Sequence, residues 1–239
     1  MSVSYEGIKA LTFDVFGTVV DWRSSIIEEG HKLSKTKGIE VAWSDFADQW
    51  RGGYGPSMDS VRRGERLWTK LDLLHRILLD QLLVKFNIDC LSENEKKHLN
   101  TAWHRLKPWP DSVSGLSRLR ERFIIATLSN GNVALLTNMA KYARLPWDCI
   151  LSAELVKHYK PDPEAYLGSA DLLGLSPEEV MMVAAHKGDL RAAQKVGFRS
   201  AFVARPKEFG PDGIVDTTPE AEFDFNATDF EDLATKLGL

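Results

Sequence analysis

Five short apolar runs constrain this chain more than anything else in it: Ile8 to Phe13, Phe123 to Leu128, Asp148 to Ala153, Val180 to Ala185 and Ser200 to Ala204. Each is too short and too rich in β-branched or aromatic residues to stand as a free helix, which predicts buried strands. Between them lie helical segments. Pro110-Asp111 opens "SVSGLSRLRER", Pro163 opens "EAYLGSADLLGL", and Asp189 opens "LRAAQKVG", which stops at Gly197. Strands alternating with helices predict βαβ units with right-handed crossovers and a parallel sheet whose ligands gather at the carboxyl ends of the strands. The expected class is α/β, a doubly wound Rossmann-like parallel sheet.

Residues from about Trp22 to Lys107 break that rhythm. They carry no convincing strand, and Leu67, Leu71, Leu74, Leu78, Leu82 and Phe86 recur at helical spacing. This predicts an inserted helical cap over 21–107, with a core built from 1–20 and 108–239. The return to the core is marked by "KPWPD", where two prolines forbid a continuing helix. No repeat or low-complexity tract is present, and "PDGIVDTTPEAEFDFNATDF" reads as a polar connection to a short final helix. The apolar positions of "LWTKLDLLHRILLDQLLVKF" exceed a narrow stripe, so that helix could serve a homodimer or be buried against the core.

A net charge of −4, with acidic and basic residues interleaved, gives no footprint for nucleic acid or an anionic membrane, and points to a small ligand. Cys90 and Cys149 are too few and too isolated for a disulfide framework or a cysteine metal site, and "MSVSYEGIKA" lacks the apolar region of a secretory leader. The expected location is the reducing cytoplasm. No apolar segment approaches the roughly 18 residues of a membrane span.

Chemistry-bearing residues fall at the ends of the expected strands. Asp14 ends the first and is followed by Gly17-Thr18; alone it would be read as a turn or cap residue. "TLSNGN" places Ser129 and Asn130 after the second strand, "HYKPDPEAY" places Lys160 after the third, and "AAHKGDL" places Asp189 after the fourth. This order resembles the haloacid dehalogenase superfamily over nearly the whole chain, including an insertion after the first motif.

Superfamily phosphatases use Asp-x-Asp, in which the second aspartate protonates the leaving alcohol, and they hold Mg²⁺ with acidic residues of the first and last motifs. Here Phe16 occupies the place of that acid, and Asp189 has no adjacent carboxylate. A phenyl ring cannot donate a proton. An aromatic residue at this position resembles instead the type II (S)-2-haloacid dehalogenases, with "FDVFGT", "LSNGN", "HYKPDP" and "AAH" similar to a subgroup that includes fluoroacetate-active members.

That resemblance implies hydrolysis of a short 2-haloalkanoic acid without metal or cofactor. A departing halide needs no proton, so the missing acid is not required. Asp14 would form an ester with C2, and water would release the 2-hydroxy acid with inversion. Lys160 would hold Asp14 ionised, Thr18 would support its turn, and Asp189 would handle the hydrolytic water while also serving as an N-cap. Ser129 and the backbone beside it, with Phe16, are assigned to the substrate carboxylate. Arg51 in "DQWRGGY", with Asn130, is assigned to the halide; Arg23, Arg62 and Arg63 are nearby alternatives. Trp22, Trp68, Trp109 and Tyr166 are candidates for the pocket wall.

Better-known members read Ser-x-Asn-x-x-Asp where this chain has Ala184, Ala185, His186, Lys187, Gly188 and Asp189. His186 has three readings: a neutral orienting group, a further donor to halide or carboxylate that would suit fluoride, or a structural histidine tied to the backbone. Two rivals stand beside the dehalogenase, a Mg²⁺-dependent phosphatase or phosphonate-type hydrolase of the same fold, and a non-catalytic relative.

Overall fold

The computed structural model describes residues 6–239. The first residues of the expected core segment, and of the stretch read for a leader, lie outside the described residues. Along the chain, β1 (Ala10–Phe13) leads to β2 (Val20–Asp21), and then to five helices: α1 (Trp22–Lys37), α2 (Trp43–Gly52), α3 (Tyr54–Arg62), α4 (Leu71–Lys85) and α5 (Glu93–Asn100). A 3-10 turn (Thr101–His104) and β3 (Lys107–Pro108) bring it back. The rest alternates as α6 (Ser112–Arg120), β4 (Ile124–Ser129), α7 (Val133–Ala143), β5 (Cys149–Ser152), α8 (Ala153–Val156), α9 (Pro163–Leu172), β6 (Val180–Ala184), α10 (Lys187–Lys195), β7 (Arg199–Val203), β8 (Phe225–Ala227) and α11 (Phe230–Lys236).

The strands form one sheet in the order β5-β4-β1-β6-β7-β8, with every neighbouring pair parallel. β1 and β6 are buried along their whole length, which is why they read as unbroken apolar runs rather than alternating ones. From β1 the chain builds outward through β4 and β5, then returns to β6 on the other side of β1. The crevice between the carboxyl ends of β1 and β6 is therefore the switch point where a doubly wound sheet exposes loop ends to a ligand.

The helices between β2 and β3 contribute no strand to this sheet, and they pack on it through aromatic rings. Trp103 stacks on Trp22 at 6.3 Å and meets Trp50 edge-on at 5.4 Å, while Phe16 from the turn after β1 packs on Trp103 at 6.0 Å. All four rings are almost fully buried. Helices α1 and α2 approach closely because Gly30 has no side chain; a Cβ there would lie 2.1 Å from the Trp43 ring.

Several expectations are corrected. β8 lies in the stretch read as polar connection, because a three-residue, half-buried edge strand leaves almost no periodic signal. β2 and β3 pair antiparallel at the neck of the insert, too short to be read from sequence. Leu67 is not part of α4, which begins at Leu71, and its side chain is exposed. Helix α10 starts at Lys187 with His186 at its N-cap, so Asp189 sits inside the first turn and is not the cap.

The returning "KPWPD" segment braces the turn after β1. Trp109 Nε1 donates to the Gly17 carbonyl at 2.8 Å, and Ser112 Oγ donates to the Val19 carbonyl at 2.7 Å. Arg205, from the loop after β7, donates from Nε to the Thr18 carbonyl at 2.7 Å and grips Asp111 with two bonds of 2.8 Å. Both partners are largely buried, so removing one strands the other in a poorly solvated site. Arg205→Ala should therefore lower unfolding free energy in urea by about 3 kcal/mol. A loss under about 1 kcal/mol would show that the pair does not hold the turn.

Candidate active site

Asp14 projects from the carboxyl end of β1 into the switch-point crevice, its backbone N–H bonded to the Val183 carbonyl at 3.0 Å. The turn beyond it depends on Gly17, whose φ of +86° is strained for other residues. This turn delivers Thr18 back onto the carboxylate. Thr18 Oγ donates to Asp14 Oδ2 at 2.7 Å, and the Ala185 N–H donates to the same hydroxyl at 3.0 Å, fixing the direction of its proton.

Lys160 lies between two carboxylates. Its Nζ donates to Asp14 Oδ1 at 3.0 Å and to Asp189 Oδ2 at 2.5 Å, and Tyr166 completes the set by donating to Asp189 Oδ1 at 2.5 Å. Lys160 is held by Asn130, whose amide oxygen accepts from the Lys160 N–H at 2.7 Å. Thus Asp14 directly after β1, Asn130 directly after β4, Lys160 in the loop beyond α8 on the crossover from β5, and Asp189 in the first turn of α10 after β6 come together.

His186 makes the next link. Its Nδ1 lies 2.9 Å from Asp14 Oδ2, and its Nε2 lies 3.0 and 3.1 Å from the two oxygens of Glu208. Glu208 is buried and also accepts from Trp22 Nε1 at 3.2 Å. A Cβ at Gly17 would lie 2.1 Å from Glu208 Oε1, so this glycine supplies room as well as turn geometry.

The electrostatics follow from these contacts. Burial alone would push the Asp14 carboxyl up, but the Lys160 ammonium, the charge and hydrogen bond of His186, and Thr18 hold it well below the usual carboxylate range. Asp189 is buried too and shares Lys160 with Asp14, whose negative charge repels its own; its carboxyl is pushed up. Lys160 is raised despite burial, because it faces both carboxylates. Burial disfavours a charged His186, yet its bonds to Asp14 and Glu208 raise it to about 10.

Across from Asp14 stands the helical insert. A cavity of about 290 Å³ is lined below by Asp14, Asn130, Lys160, His186 and Asp189, at the sides by Phe16 and Tyr166, and above by Arg51 and Tyr54. Arg51 ends α2 with its guanidinium 4.3 Å from the centre of the Tyr54 ring and its Nε buried without a hydrogen-bond partner. Among the described residues no carboxylate pairs with it. The alternatives are engaged elsewhere: Arg23 with Asp48, Arg62 with Asp59 and Asp162, and Arg63 with Glu65.

Some expected members stand elsewhere. Ser129 is buried behind Asn130, accepts from the Gly131 N–H at 3.1 Å, and does not line the cavity. Trp22 lies behind Glu208, Trp68 packs on Tyr159 at 4.7 Å, and Trp109 braces the turn, so none of these three indoles forms the wall. His186 is not tied to the backbone through its side chain. Both ring nitrogens face carboxylates, which also leaves no N–H free to donate to a halide.

Three residues near the cavity were not singled out from sequence. Glu208 gives no local motif, and only its place after the carboxyl end of a strand marks it. Tyr54 follows the "WRGG" stretch on the next helix, and burial pushes its phenol up to about 12. His75 is fully buried with both ring nitrogens unpartnered, stacked on Trp103 at 4.5 Å; burial lowers it to about 3, leaving it neutral.

Comparisons with known proteins agree with this arrangement. Residues 8–197 match the haloacid dehalogenase-like hydrolase family. The fold superposes on a defluorinating L-2-haloacid dehalogenase with a TM-score of 0.94 and 46% identity, covering 97% of this chain and 96% of that one. A second L-2-haloacid dehalogenase gives 0.93 and 45% over 97% and 99%. An (S)-2-haloacid dehalogenase of Xanthobacter autotrophicus is 34% identical over 83% of this chain and 76% of its own. With its family model and its sheet in agreement, the chain belongs to the haloacid dehalogenase-like hydrolases.

Proposed function

We propose that this protein is a 2-haloacid dehalogenase that converts short (S)-2-haloalkanoic acids to 2-hydroxy acids through an ester on Asp14, without a metal ion. The observation that carries this reading is the charge arrangement around one small cavity. A carboxylate held ionised by Lys160 faces an arginine with no carboxylate partner, and Phe16 stands where a phosphatase would need an acid.

Asp14 Oδ1, which among the described residues accepts from Lys160 alone, is the attacking atom. It displaces halide from C2 in line, and the leaving ion needs positive charge rather than a proton; Arg51 and Asn130 supply that side of the cavity. The substrate carboxylate is assigned to the main chain at Phe16 and at Ser129 to Asn130. Attack from the face opposite the halide inverts C2. Asp189 then takes a proton from water, whose oxygen adds to Cγ of Asp14; the bond from Cγ to Oδ1 breaks, and the 2-hydroxy acid leaves after regaining a proton. Lys160 neutralises both carboxylates, a task for which a metal-dependent relative would use a cation. The insert acts as a cap over this chemistry, and Phe16, Tyr54 and Tyr166 limit water around nucleophile and halide. Because a relative of 46% identity is described as defluorinating, fluoroacetate is included among the substrates.

Halide release should be seen from 2-chloropropionate and fluoroacetate, be confined to the S enantiomer of the former, and be unchanged by EDTA. Asp14→Asn should lower kcat by at least about 10⁴, as expected when a nucleophile is removed. Release that requires Mg²⁺ or survives in Asp14→Asn would overturn the reading.

A pH dependence follows from Asp189. Its folded-state carboxyl is raised above the ordinary value of 3.8, so the base is lost by protonation at a higher pH than for a free aspartate. The acid limb of kcat should lie above that value and vanish in Asp189→Asn, in which the ester on Asp14 accumulates and is seen by mass spectrometry. An acid limb at the ordinary aspartate value would remove Asp189 from the role of base.

A further inference from the structure

The bond between His186 and Glu208 is not used by the steps above. Asp14 Oδ2 already has the Thr18 hydroxyl, whose proton is directed onto it by the Ala185 N–H. A second donor on the same oxygen adds to the ionisation that Lys160 and Thr18 already favour, but hydrogen bonds to a carboxylate also reduce its nucleophilicity. Its value comes later. Once Oδ1 is esterified, Oδ2 is the carbonyl oxygen of the ester, and addition of water to Cγ places a full negative charge on it.

We propose that Glu208, acting through His186, holds a charged N–H donor against Asp14 Oδ2, and that this donor and Thr18 form the oxyanion site for hydrolysis of the Asp14 ester. The proposal rests on the ester mechanism and deepens it. His186 is the group that touches the reacting atoms; Glu208 is a positioning residue. Two carboxylates on opposite nitrogens require both nitrogens to donate, so the ring is an imidazolium. Glu208 is fixed by Trp22 Nε1 and by the space at Gly17, so the ring can present only Nδ1 to Asp14. In the addition step, water gives its proton to Asp189 and its oxygen to Cγ, and the electron pair of the carbonyl moves to Oδ2. On collapse that pair returns, the bond to Oδ1 breaks, and the alkoxide takes the proton from Asp189. Asp14, left as the acid, releases its proton to solvent. No further reactant is needed. His186 keeps its proton throughout.

The charged groups facing His186 are few. Asp14 and Glu208 touch it; Lys160 lies beyond Asp14; Asp189 and Lys187 follow on its own helix; Arg51 and Tyr54 face it across the cavity from α2 and α3. Lys187 is turned away to Asp216 and Glu220. Among the described residues Glu208 is thus the negative charge in contact with the ring that is not the proposed nucleophile itself.

The test is Glu208→Gln, which keeps size and hydrogen bonding but not charge, compared with wild type by rapid quench on (S)-2-chloropropionate. Ester formation, read as the first halide released, should change by less than about threefold, while ester hydrolysis slows by at least about tenfold, the lower range for loss of an oxyanion donor. Mass spectrometry should then show the Asp14 ester accumulating in the variant. The alkaline limb of hydrolysis, which follows loss of the His186 proton, should move to lower pH in the variant, because Glu208 is the charge that still raises His186 once Asp14 is esterified. Glu208→Asp should recover part of both effects, which a purely structural role would not predict. Independently of any variant, the ring nitrogens of His186 in the wild-type enzyme should both carry protons by NMR at about pH 8, where a free histidine is neutral. A neutral ring at that pH, or an unchanged hydrolysis rate and pH profile in Glu208→Gln, overturns the oxyanion role and leaves the dehalogenase reading standing. Failure to find any ester in the wild type overturns both.

Discussion

The ammonium of Lys160, placed between the carboxylates of Asp14 and Asp189, is the interaction on which the rest of this molecule depends. Two negative charges this close and this buried would repel strongly, and one would take up a proton. With the lysine between them the cost is offset, and the difference in their surroundings shifts the two carboxyls in opposite directions. Asp14 gains Thr18 and His186 and is driven down; Asp189 gains a neutral phenol and is pushed up. One cation thereby gives two chemically alike groups different characters. In the proposed reaction this difference suits Asp14 to attack as a carboxylate and Asp189 to take up a proton from water.

Much of the fold serves to keep that cation and those carboxylates in register. Parallel strands whose carboxyl ends meet at one edge bring together residues far apart in the chain, and the topological switch beside β1 opens the crevice they share. The aromatic insert supplies the opposite wall from its own core of Trp22, Trp50 and Trp103, and it bears Arg51 on the end of a helix. Arg205 and Trp109 act on carbonyls of the turn beyond Asp14, so this short stretch is braced from two sides. Under the proposed reaction rigidity there matters, because in-line displacement tolerates little error in the position of the attacking oxygen.

The sequence made the strand-end residues legible for a physical reason. Strands buried on both faces are written as continuous apolar runs, and a polar residue directly after such a run stands at the sheet edge. That logic places Asp14 and Asn130, whereas Lys160 beyond α8 and Asp189 inside α10 are reached, like Arg51, through the resemblance. It does not reach Glu208, which lies in a loop of mixed composition where no periodicity marks a position, nor Tyr54 and His75, whose neighbours come from helix packing. The indoles show the opposite error. Trp22, Trp68 and Trp109 look alike in sequence, but their N–H groups and ring partners, which only the packed structure supplies, draw them away from the cavity. His186 was visible as a departure from pattern, yet its charge depends on a carboxylate that pattern could not find.

Gly17 couples two distant parts of the chain in a way that bears on how such a site can change. The carboxylate of Glu208 occupies the volume that any side chain at position 17 would fill. A side chain at position 17 would push the end of Glu208 aside and so break its bonds to His186 Nε2 and Trp22 Nε1. A change in the turn after β1 would thereby be felt in the loop after β7, although the two lie far apart in the chain.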